Sequence, residues 1–107
     1  MKELKSDEFN KIIARKKPVV IDFYADWCYP CRYLYPILKK LENEYNDKVE
    51  FYKVNVDKNR DLATKYRIFS IPTVLIFYNK EVIGGFIGAM PERDVKNEIE
   101  RSLKKVL

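Results

Sequence analysis

With 107 residues, 47% of them hydrophobic and 35% charged, the chain can bury one core and is read as a single domain over 1–107, neither disordered nor dependent on staples. Its two cysteines exclude the multi-bridge framework of a small secreted domain, and no apolar run approaches the roughly 20 residues that span a bilayer. The formal charge of +5 comes from 21 basic residues dispersed among 16 acids, so a solvated surface is expected rather than a nucleic-acid or membrane footprint. Met1 to Glu8 shows no apolar stretch after its charges, so a secretory signal is not expected and the cytoplasm is the expected compartment.

In chain order, residues 2 to 5 give a weak signal for a short edge strand. Ser6 is the expected N-cap of a helix in which Phe9, Ile12 and Ile13 recur at helical spacing as far as Lys16 or Lys17. Pro18 stops that helix. Val19 to Ala25 is then almost continuously apolar, the pattern of a central strand covered on both faces. A helix from Cys28 to about Asn46 follows, with Pro36 inside it as an expected kink. Val49 to Val56 is the next strand, and strand, helix and strand of these lengths make a right-handed βαβ unit.

Asn59 is expected to cap a short helix through Leu62, Ala63 and Tyr66. Thr73 to Tyr78 and Val82 to Ile87 read as a hairpin joined by Asn79, Lys80 and Glu81, so the sheet is expected to be mixed. All three glycines, Gly84, Gly85 and Gly88, crowd the last strand, which suggests a bulge or a close backbone approach. Pro91, expected at N1, opens a final helix with an apolar stripe of Val95, Ile99, Leu103 and Val106. Its acids Glu92 and Asp94 stand at the start, and Lys104 and Lys105 at the end.

All the sulfur chemistry lies in Trp27-Cys28-Tyr29-Pro30-Cys31. Residues three apart share a helix face, so the two thiols can bridge within one turn. Unpaired N–H groups and the aligned dipoles of a first turn favour negative charge and lower the pKa of the leading thiol. Cys28 is therefore expected as the more exposed thiolate nucleophile and Cys31, one turn inside, as the resolving thiol. Pro30 suits a first turn, where a missing N–H costs least. A structural bridge or half a metal site is the alternative. A tetrahedral metal site needs four ligands, and a chain without histidine or a third cysteine would need a second copy, so no metal is expected.

The runs Asp22-Phe23-Tyr24-Ala25-Asp26-Trp27-Cys28-Tyr29-Pro30-Cys31, Asn55-Val56-Asp57 and Ile71-Pro72-Thr73, at their spacing over essentially the whole chain, closely resemble the thioredoxin family. The resemblance implies an α/β thioredoxin fold, a central mixed sheet of four to five strands flanked by four helices, and a monomer that reduces protein disulfides. It implies no bound cofactor and reducing equivalents from a thioredoxin reductase. Cys28 and Cys31 match the family's nucleophile and resolving cysteine, Asp22 its buried aspartate and Lys53 the lysine beside it. Pro72 matches its cis-proline, and Trp27, Ile71, Gly88 and Ala89 match the surface that docks substrate chains. Tyr29 stands where glycine is usual and Tyr24 where tryptophan is common; Tyr29 and Pro30, between the sulfurs, are the expected redox-tuning residues. A carboxylate among Val, Ile, Phe and Tyr is costly to ionise, so the Asp22 pKa should be raised toward what a base for Cys31 requires. A disulfide oxidase or isomerase on the same fold and a non-catalytic binding module are the alternatives.

Overall fold

The computed structural model describes residues 1–107 and contains a five-stranded sheet and four α-helices. The strands are β1 (Lys2–Glu3), β2 (Val19–Tyr24), β3 (Glu50–Asn55), β4 (Thr73–Tyr78) and β5 (Glu81–Ile87). The helices are α1 (Ser6–Ile13), α2 (Tyr29–Tyr45), α3 (Arg60–Lys65) and α4 (Glu92–Leu103). In space the strands run β1-β3-β2-β4-β5, with β1, β3 and β2 parallel and β4 and β5 antiparallel to their neighbours. No helix is long and apolar enough to cross a membrane.

Side chains alternate across a strand, and the two sets of a central strand here serve two separate cores. Val19, Ile21 and Phe23 of β2 join Leu4, Phe9, Ile12, Ile13 and Leu62 on the α1 and α3 face. Val20 packs with Leu34, Leu38, Leu41, Val95, Ile99 and Leu103 on the α2 and α4 face. The β3 residues divide in the same way, Phe51 toward α2 and Val54 toward α1. Asp22 has the parity of Val20, and Lys53 that of Phe51. The register pairs Asp22 with Lys53 directly, so both belong to the face that α2 covers.

Several boundaries differ from the sequence expectation, each for a polar reason. Lys5, not Ser6, occupies the N-cap of α1; the Ser6 backbone N–H and hydroxyl both donate to Asn59 Oδ1, at 3.0 and 3.1 Å. Asn59 sits at the N-cap of α3 without capping it, because its amide is spent on Ser6 and on the Asn55 carbonyl at 2.9 Å. The α1 helix ends at Ile13 rather than Lys16, since the Ile13 and Arg15 carbonyls accept from Lys80 and Asn79 of the β4–β5 turn. That turn has two residues, not three, both with positive φ (51° and 74°), the backbone that matches the twist of a tight hairpin. Pro91 is the N-cap of α4 instead of its first residue, and the helix stops at Leu103, so Arg101 is the base in its last turn. Pro36 lies inside α2 without ending it.

The glycine-rich strand carries both features expected of it. Between Ile76↔Gly84 and Phe77↔Val82 the register shifts, leaving Ile83 as the extra residue of a bulge. A Cβ on Gly84 would overlap the Ser102 hydroxyl of α4, so the close approach of strand to helix requires glycine.

Candidate active site

Cys28 is the N-cap of α2, in extended conformation (φ −87°, ψ 110°), and its sulfur accepts a hydrogen bond from the Cys31 backbone N–H at 3.2 Å. Tyr29 and Pro30 form the first turn. The two cysteines are bridged, with their Cα atoms 5.3 Å apart. The expected difference in exposure is not found: Cys28 is 3% exposed and Cys31 4%. Capping folds the Cys28 side chain back over the helix start, and both sulfurs sit against Ala25, Val56 and Ile71. The exposed groups are their neighbours, Trp27 at 69% and Tyr29 at 80%.

The indole of Trp27 is fixed, its Nε1–H donating to Asp57 Oδ2 at 2.7 Å. The Asp57 backbone N–H in turn donates to Asn55 Oδ1 at 2.9 Å, so the end of β3 anchors the aromatic rim. The Ile71–Pro72 bond is cis, as the resemblance implies. Pro72 is buried, and its carbonyl accepts from Gly88 N–H at 2.7 Å. Gly88, with φ 87°, has the left-handed backbone that favours glycine. Ala89 leans instead onto the α2 and α4 core.

Beneath Cys31 lies a cavity of about 420 Å³ lined by Asp22, Tyr24, Cys31, Tyr35 and Lys53 among others. Asp22 is 1% exposed and its Oδ1 accepts no hydrogen bond. Loss of hydration pushes its carboxyl up to about 7, and the Lys53 ammonium opposes that rise without cancelling it. Asp26 is exposed, and its backbone carbonyl accepts from Arg32 at 2.8 Å.

Asp57 and Tyr35 also stand at the site, and neither is marked as a site residue by the sequence. Asp57 was visible only as part of a matched run, because an acid after a strand carries no sign of the indole it will meet. Tyr35 has the helical spacing of an ordinary apolar position of α2.

The Thioredoxin family model matches residues 1–101. The chain belongs to the thioredoxin family. The chloroplastic M-type thioredoxin of Pisum sativum is 44% identical over 90 residues, 84% of this chain and 52% of that protein, so the chain spans about half the length of that relative. The thioredoxin of Griffithsia pacifica is 39% identical over 94 residues, covering 88% of this chain and 86% of its own. Among solved structures, the thioredoxin of Malassezia sympodialis superposes with a TM-score of 0.86 at 34% identity, over 94% of this chain and 92% of that one. A redox-active cysteine pair in a thioredoxin makes the protein a thiol–disulfide oxidoreductase.

Proposed function

We propose that this thioredoxin works as a general protein-disulfide reductase, with Cys28 as nucleophile and Cys31 as resolving thiol. The observation that carries the reading is the Cys31 N–H directed at the Cys28 sulfur, at the positive end of a 17-residue helix. In the dithiol form that donor and the helix dipole favour the Cys28 thiolate. The thiolate attacks one sulfur of a substrate disulfide, the S–S bond breaks, and the second substrate sulfur leaves as a thiol. Cys31 then gives up its proton and attacks Cys28; the mixed disulfide breaks, and the substrate departs with both sulfurs reduced while the internal bridge forms. Asp22 is the group that receives the Cys31 proton, since a carboxyl near 7 exchanges protons at neutral pH.

Trp27, Ile71, Pro72 and Gly88 form the surface on which a substrate chain settles; Tyr29 and Pro30 between the sulfurs tune the potential. The family's working arrangement supports a thioredoxin reductase as the source of electrons, with no bound cofactor and a monomeric chain; the cytoplasm is the setting proposed for it. Reduction of insulin disulfides tests the roles: Cys28→Ser abolishes turnover, and retained turnover rejects Cys28 as nucleophile. The potential tests the direction of transfer. Thioredoxins as a class lie near about −270 mV and strong oxidants near about −120 mV, so a value close to the latter would make the protein an oxidase instead.

A further inference from the structure

We propose that Tyr24 and Tyr35 are positioning residues for the exchange reaction: their ring faces grip the Lys53 ammonium and hold it beside Asp22 but out of ion-pairing contact with it. The inference rests on the reading of Asp22 as the proton acceptor for Cys31. The Lys53 Nζ lies 4.8 Å from the Tyr35 ring centroid and 5.3 Å from that of Tyr24, within the range of a cation–π contact on two sides at once. The clamp spans three elements, with Tyr24 at the end of β2, Lys53 on β3 and Tyr35 on α2. Each ring is itself restrained: the Tyr24 hydroxyl donates to Glu3 Oε1 of β1 at 2.7 Å, and Tyr35 is half-buried against the same cavity.

The geometry explains why two adjacent, opposite charges on paired strands do not close. Asp22 and Lys53 are register partners, yet Asp22 Oδ1 accepts nothing and Lys53 forms no ion pair. An ammonium in contact would lock the carboxylate in its ionised form and remove its affinity for the Cys31 proton; an ammonium released to solvent would no longer oppose the effect of burial, and the carboxyl would hold its proton more tightly still. Held between the rings, Lys53 stays near enough to act and too far to neutralise. The other charged groups around Asp22 are few. Asp26 and Arg32 line the same cavity from its exposed side, Glu3 is engaged with Tyr24, and Lys39 of α2 lies 5.8 Å from the Tyr35 ring centroid; besides Lys53 and the two tyrosines, Cys31 in its dithiol form is the remaining titratable group that lines it.

The test is the titration of Asp22, followed by carbon-detected NMR of its carboxyl in oxidised and reduced protein, beside the pH profile of insulin reduction. In Tyr35→Leu the ammonium closes onto the carboxylate, and the Asp22 midpoint falls by about one pH unit, roughly tenfold in its ionisation constant, with the rate profile following. Tyr35→Phe, which keeps the ring face, holds both at the wild-type positions. In a Lys53→Met background, Tyr35→Leu produces no further shift, because the cation it would release is gone. An unchanged or raised midpoint in folded Tyr35→Leu overturns the clamp, as does a Phe variant that shifts as far as the Leu variant. If instead the midpoint falls as expected while the rate profile stays put, the role of Asp22 as proton acceptor fails and the clamp stands as a charge-positioning device only.

Discussion

Asp22 occupies a position where alternation along β2 would put another aliphatic residue toward α2. Its carboxyl is ordinarily protonated only below about pH 4, but burial raises it to about 7 from 3.8. The sign of the stability effect follows from which state loses its proton first. Below about pH 4 the group is protonated whether the chain is folded or not, and its contribution to stability is complete. Between about pH 4 and 7 the unfolded chain ionises and the native one resists, so stability declines as pH rises and levels off above 7. A shift of that size corresponds to at most about 4 kcal/mol. Urea unfolding of the oxidised protein, in which the thiols do not titrate, is the measurement. Asp22→Asn, which imitates the protonated acid, is expected to be more stable than wild type by about 2–4 kcal/mol at pH 8 and nearly equal to it at pH 4. A difference that does not change with pH would show that Asp22 carries no raised pKa.

At the level of elements, the contact between β5 and α4 is set by a missing side chain. Gly84 faces Ser102, which is 1% exposed and whose hydroxyl donates to the Glu98 carbonyl at 2.8 Å. The Glu98 carboxylate reaches back to the Gly85 N–H at 3.0 Å, stitching strand to helix from the other side. Gly84→Ala puts a methyl into the Ser102 hydroxyl and within 2.9 Å of the Ser102 Cβ, so the serine must give up its bond to the Glu98 carbonyl and the helix must shift to clear the Cβ. A loss of about 1–3 kcal/mol in urea unfolding is expected, with insulin reduction retained, because the damage lies away from the sulfurs. Unchanged stability would mean that the helix moves off freely.

What the sequence revealed at this scale depended on whether the signal was local. The apolar run of β2, the spacing of Leu34, Leu38 and Leu41 in α2, and the hairpin of β4 and β5 are local patterns, and all appear in the structure. The end and the N-cap of α1 fall elsewhere than expected, and Asn59 stands at the N-cap of α3 without capping it, because Asn79, Lys80 and Ser6 bind backbone or amide groups distant in sequence, which no window along the chain contains. The same limit hid the Trp27–Asp57 bond, which joins residues 30 apart.

On the scale of the whole molecule, the sheet brings the start of α2, the end of β3 and the Ile71–Pro72 turn to one end of its central strands, so that two sulfurs, a fixed indole and a buried acid meet there. The motif around Cys28 and Cys31 was legible as chemistry, because composition left no other thiol in the chain. The Lys53 clamp was not, because an aromatic on a helix announces burial and says nothing of a cation from a neighbouring strand. The acidity of Cys28 is a property of this folded assembly: the donor at 3.2 Å and the helix dipole exist only when α2 starts where β2 ends. The rate of iodoacetamide alkylation of the reduced protein, followed against pH in the native state and again in concentrated urea, measures that property. The native protein is expected to react first at Cys28, with a midpoint well below about 8.5, and the unfolded chain to return to that free-thiol value; a native midpoint no lower than the unfolded one would contradict the mechanism.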